Sequence, residues 1–130
     1  MCSNVPINEF IGEVEDLLFV IDMDLDKISQ SMDNQEKIAP EVFNNLYRNW
    51  NYLKGLFSLF YFQEWQAISS ALENLFNLLS KRELKIKKEI IDLTKQVVSA
   101  LKTSLQSNEN QITTVNELLE RAKNLDSSKN

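Results

Sequence analysis

The sequence predicts an all-α protein, an up-down four-helix bundle with an additional fifth helix at the C-terminus. Three observations carry this. Apolar residues recur at spacings of three and four over most of the chain. Two Gly and two Pro leave few helix breakers. The periodic stretches are joined by short polar links, which set consecutive helices side by side. A chain of 130 residues, 43% of them hydrophobic, is sized for one domain with a real core. Residues 1–130 therefore read as a single domain, with a bundle over about 7–106 and an accessory helix over about 111–125.

Residues 1–6 read as a loose arm. Phe10, Ile11, Val14, Leu17, Leu18, Ile21, Leu25 and Ile28 follow at helical spacing and predict a first helix over about 7–31. Its outer face carries Glu13, Glu15, Asp16, Asp22, Asp24 and Asp26, read as a solvated acidic surface. Ser31 to Ile38 is a polar loop, and Pro40 fits the first turn of the next helix. That helix carries Val42, Phe43, Leu46, Tyr47, Trp50 and Leu53. Gly55 either ends it or is passed through at a cost of about 1 kcal/mol, since Leu56, Phe57, Leu59 and Phe60 continue the apolar character.

A third helix over about 62–80 carries Trp65, Ile68, Leu72, Leu75, Phe76 and Leu79. Ser80–Lys85 is a charged corner. A fourth helix over about 86–106 carries Ile90, Ile91, Leu93, Val97, Val98, Leu101 and Leu105. Asn110 or Thr113 caps the fifth, with Ile112, Val115, Leu118, Leu119 and Ala122, packed outside the bundle. The tail Asp126–Asn130 is expected to fray. Most aromatics lie between positions 43 and 76, so packing between the second and third helices is expected, not a cofactor pocket.

A net charge of −5 lacks the basic footprint of general nucleic-acid binding. The charge is unevenly spread: residues 7–37 hold nine acids and two bases, residues 81–103 seven bases and three acids. Antiparallel packing would set these regions against each other. Cys2 is the single cysteine, so no internal disulfide forms and a cytoplasmic setting is expected. No apolar run approaches the roughly 18 residues of a membrane span, and the N-terminus lacks the pattern of a signal peptide. The absence of histidine removes His metal ligands, His general bases and Ser-His or Cys-His pairs. Glycines only at 12 and 55 exclude a Gly-rich phosphate loop. No metal, no cofactor and no enzymatic activity are expected. Acid pairs such as Glu15 with Asp16 lie on a helix surface.

The second helix contains Leu46-Tyr47-Arg48-Asn49-Trp50-Asn51-Tyr52-Leu53-Lys54-Gly55. This resembles the signature of histidine phosphotransfer (HPt) domains, specifically those at the N-terminus of chemotaxis histidine kinases: an aromatic, Arg, two usually small residues, His, Ser, an aliphatic, Lys, Gly. Tyr47, Arg48, Leu53, Lys54 and Gly55 match, while the His falls on Asn51, the preceding small residue on Trp50 and the Ser on Tyr52. Without a gap, Ala71-Leu72-Glu73-Asn74-Leu75-Phe76 and Ile90-Ile91-Asp92-Leu93 match the family's next two helices, and Phe10, Glu13, Leu17 and Leu18 fit its opening. The resemblance covers about residues 7–106.

The resemblance implies a phosphotransfer site from which the reactive atom is missing. In the family an exposed imidazole carries the phosphoryl group, and a carboxylate on the neighbouring helix holds its other ring N–H. Glu73 occupies that carboxylate's position. Lys54 stands where a cation steadies the phosphoryl oxygens or the receiver's acidic pocket, and Gly55 where a small residue admits the partner. Asn51 offers an amide nitrogen whose lone pair is delocalised, and Tyr52 points about 100° away around the helix. Each residue also has a plainer reading. Glu73 is then a surface carboxylate bonded to Asn51 or Lys54, Lys54 is solvated, and Gly55 serves helix packing. Trp50 is either an aromatic anchor on a rebuilt binding face or a core side chain.

The function the resemblance implies is a pseudo-phosphotransfer adaptor of two-component or chemotaxis-type signalling. It would bind a response-regulator receiver domain or a histidine-kinase module through Arg48, Asn51, Tyr52, Lys54, Gly55 and Glu73, with no nucleic acid and no membrane insertion. The alternatives are a structural or homodimeric bundle, and a phosphotransfer domain with an engineered His-to-Asn change.

Overall fold

The computed structural model describes residues 7–34, 37–60, 62–107 and 112–127. They form five helices: α1 (Ile7–Gln30), α2 (Pro40–Leu59), α3 (Gln63–Ser80), α4 (Lys88–Ser107) and α5 (Ile112–Ser127). No strand occurs among the described residues, and the chain is all-α. The expected arm over 1–6, a cap at Asn110 and the tail over 128–130 lie outside them. α5 itself runs to Ser127, into the stretch expected to fray.

The periodic stripes are the core. Phe10, Val14, Leu18, Ile21, Leu25 and Ile28 of α1 are buried, as are Leu46, Trp50 and Leu53 of α2 and Ile68, Leu72, Leu75 and Phe76 of α3. α2 starts with Pro40 in its first turn and continues through Gly55. The physical reason is the residues beyond the glycine. Leu56 and Phe57 are both buried, and each buried side chain of this size contributes about 1.5–3 kcal/mol, more than the glycine costs.

α2 and α3 form the closest helix pair. The pairs Asn51–Glu73 and Phe57–Trp65 show that they run antiparallel. Their corner is closed by Phe62 N–H donating to the Phe57 carbonyl at 2.9 Å. The aromatics do more than fill the α2–α3 seam. Phe10 of α1 stacks on Phe62 with centroids 5.6 Å apart and lies 4.2 Å from Phe60, so this cluster also fixes the start of α1.

α1 lies against α2 and α4, and α5 against both α3 and α4. Ala122 of α5 is fully buried. The fifth helix is therefore packed into the common core at this point, and Arg121 donates to the Gln96 side chain of α4 at 2.6 Å. The two oppositely charged regions do meet: Lys102 Nζ is 2.8 Å from Asp22 and Lys95 Nζ 3.0 Å from Asp26. Such part-exposed pairs contribute roughly 0–1 kcal/mol each and act mainly on register.

Asp24 corrects the reading of the acidic face. It is only 4% exposed, with one carboxylate oxygen 3.6 Å from Lys27 and the other without a partner. Position 24 falls three after Ile21 and four before Ile28, which places it at the edge of the buried stripe.

The turn after α3 has a strained element. Glu83 N–H donates to Leu78 O at 2.9 Å and Arg82 N–H to Leu79 O at 3.1 Å, the paired bonds of a Schellman cap. Arg82 takes the left-handed position at φ 59°, where glycine is favoured because a Cβ crowds the next carbonyl. Leu84 and Ile86 then plug into the core, so the cap is what turns the chain back toward it. Arg82→Gly is expected to stabilise the fold by about 0.5–1 kcal/mol, measured as a higher urea midpoint at unchanged slope.

Candidate functional site

The residues singled out on α2 separate into two groups once α3 and α1 are in place. Asn51 and Lys54 stand one turn apart and both reach across to Glu73 of α3. Asn51 Nδ2 donates to Glu73 Oε2 at 2.6 Å, and Lys54 Nζ lies 2.6 Å from Oε1. Both oxygens of the carboxylate are thus engaged, one by an amide and one by an ammonium. Glu73 is 9% exposed, which a carboxylate tolerates only when paired and hydrogen-bonded. Charge-assisted bonds of this length are the strong kind.

The geometry decides between the readings left open by the sequence. Glu73 is a buried carboxylate rather than a surface one, and it bonds both candidate partners. Lys54 is not a free solvated cation, since its ammonium is committed to Glu73. Asn51 is exposed, and with its amino group turned inward its carbonyl oxygen is the atom left to face outward. Trp50 is fully buried, so it is a core side chain and not an anchor on the binding face. Its position three residues before Leu53 and four after Leu46 puts it inside the apolar stripe. Its indole N–H has no partner.

Gly55 is exposed, and a Cβ placed on it would meet no atom within 4 Å. Helix packing does not require this glycine. Arg48 is exposed and has no acidic partner among the described residues.

Tyr52 belongs to the second group. It points toward α1, and its hydroxyl donates to Glu13 Oε2 at 3.1 Å. The sequence identified both residues but not their pairing, which depends on the register of α1 on α2. The hydrogen bond to Glu13, then the carboxylate's charge, then partial desolvation raise the Tyr52 phenol above its ordinary range.

Beside Glu73 opens a cleft of about 640 Å³, lined by Tyr47, Ser70, Asn74 and Asn77 together with Leu119 and Lys123 of α5. It was not legible in the sequence because it depends on where α5 lies. No group of three or more His, Cys, Asp or Glu that could hold a metal occurs among the described residues, and no helix among them is long and apolar enough to cross a membrane. Chemically, the cluster can present an amide carbonyl, a guanidinium and an open glycine step over a neutralised carboxylate. The Asn51 amide nitrogen, with its lone pair delocalised, is not a nucleophile.

Comparison with protein-family models, with curated proteins and with solved structures found no match.

The Tyr52–Glu13 bond exists only while the phenol is protonated. The folded pKa lies above the unfolded value of about 10, so its contribution is present below that value and is lost as pH rises through the folded one. NMR titration of the Tyr52 ring is expected to give a midpoint above about 10, and Glu13→Gln to bring it back toward that value. An unchanged midpoint in the variant would show that the bond does not form.

Proposed function

We propose that this chain is a non-phosphorylatable, phosphotransfer-like adaptor. Its helices take the up-down four-helix arrangement of that family, with α5 added. It works in two-component or chemotaxis-type signalling, docking a receiver domain or histidine-kinase module on the exposed face of α2. The observation that carries this reading is the 2.6 Å bond between Asn51 and Glu73. The two are 22 residues apart, on different helices, and they are the positions where the family resemblance puts the phospho-acceptor and its orienting carboxylate. The amide donates to Glu73 as an imidazole N–H would, but offers no nucleophilic nitrogen outward.

Two further features support a surface kept for recognition. Gly55 costs about 1 kcal/mol of helix stability against alanine without serving any internal contact. Arg48, two turns before it on the same face, has no acidic partner among the described residues, and is a guanidinium suited to a receiver's acidic pocket. Lys54 changes role: it neutralises Glu73, so the docking face has its carboxylate already satisfied. Binding without transfer would compete with, or scaffold, phosphotransfer by active partners.

Titration of the ¹⁵N-labelled chain with receiver domains from the same organism tests this. The expected result is binding by at least one receiver, with shifts centred on Arg48, Tyr52 and Gly55, and loss of binding in Arg48→Glu. Gly55→Ala is expected to raise stability by about 0.5–1 kcal/mol while weakening that binding. Binding by no receiver would overturn the reading, as would a homodimer that buries the face around Asn51. Asn51→His separates an engineered change from a diverged site: efficient phosphotransfer by this variant would favour the former.

A further inference from the structure

The outward face of α1 has no part in the α2 surface and carries a different chemistry. Phe19, Val20 and Met23 are 63%, 43% and 48% exposed. At spacings of one, three and four they form one contiguous patch, on the side of the helix opposite Leu18, Ile21 and Leu25. Single exposed apolar residues need no explanation, but a grouped set on one face marks an interaction site.

The surroundings of the patch specify what covers it. Glu15 and Asp16 stand one turn before Phe19 and Val20, both exposed, and neither meets a cation among the described residues. One turn after Met23, Asp26 is paired with Lys95, and Lys27 faces Asp24. The uncompensated charge at the patch is therefore negative and lies at its N-terminal end. Gly12, one turn before Asp16, would meet no atom within 4 Å if it carried a Cβ, so the approach along this face is open. A second copy of the chain would bring its own Glu15 and Asp16 to the same surface, and both copies carry a net charge of −5.

We propose that this face of α1 docks a basic amphipathic helix of another protein. Its apolar side would cover Phe19, Val20 and Met23, and its Lys or Arg residues would pair with Glu15 and Asp16. Such a helix-to-helix contact uses anchors at spacings of three and four on the incoming segment.

The test uses a synthetic helical peptide of alternating Leu and Lys pairs, and the same peptide with Glu in place of Lys, titrated into the ¹⁵N-labelled full chain. The Lys peptide is expected to shift the amides around Phe19–Met23 and to bind more weakly as salt rises. Phe19→Ser is expected to weaken it by about tenfold or more, as is the pair Glu15→Lys with Asp16→Lys. Phe19, Glu15 and Asp16 are exposed, so these variants are expected to keep the wild-type helical circular dichroism. Equal binding of the Glu peptide, shifts centred elsewhere, or Phe19→Ser binding like wild type would overturn the proposal. So would a wild-type dimer in sedimentation that Phe19→Ser converts to monomer, since the face would then belong to a second copy.

Discussion

A carboxylate shielded from water must be answered by donors, and in this chain that requirement joins α2 to α3 at one register. Glu73 sits beside the buried Leu72, Leu75 and Phe76 on α3, a helix whose other buried polar residue is Ser69. It is held by Asn51 and Lys54, one turn apart on the facing helix. Sliding α3 by a turn along α2 would strand the charge, whose desolvation without partners costs several kcal/mol. The apolar stripes alone would tolerate more than one alignment, because Leu, Ile and Phe contacts are non-directional. The polar cluster removes that freedom. It also sets which α2 residues remain outside, namely Arg48, Tyr52 and Gly55.

Much of this was legible in the sequence because helical periodicity is a strong signal. The five helices and their buried positions follow from apolar spacings, and the acid-rich start and base-rich later segment do meet as Asp22–Lys102 and Asp26–Lys95. The opposition of Asn51 and Glu73 was legible only through the resemblance to phosphotransfer domains. The rest depended on tertiary register. Asp24 carries the same charge as its exposed neighbours, and nothing local distinguishes it until the stripe's edge is placed. Tyr52 and Glu13 find each other only once α1 lies on α2. Arg82 breaks the usual preference for glycine at a left-handed cap, so a rule based on residue type passes over it. Trp50 was ambiguous because an aromatic next to a polar surface fits both a core and an anchor.

The two outward surfaces divide the chemistry between them. The α2 face carries Arg48, Asn51 and Tyr52 over a neutralised carboxylate, with Leu59 exposed at its C-terminal end. The α1 face is apolar with acids at one end. Among the described residues neither holds a group of three or more His, Cys, Asp or Glu that could bind a metal, and a helical fold of this kind has its energy in packing. Its exposed faces are free to diverge without loss of the fold, since surface substitutions away from the polar cluster cost little.

The interaction on which this arrangement turns is measured most directly by a double-mutant cycle with Lys54→Met, Glu73→Gln and the combined variant, followed by urea unfolding. A coupling of about 1 kcal/mol or more between the two sites is expected, because losing Lys54 leaves the largely dehydrated Glu73 carboxylate short of a bond. Additivity to within about 0.3–0.5 kcal/mol would contradict it, and would mean that Glu73 and Lys54 do not hold α2 and α3 in register.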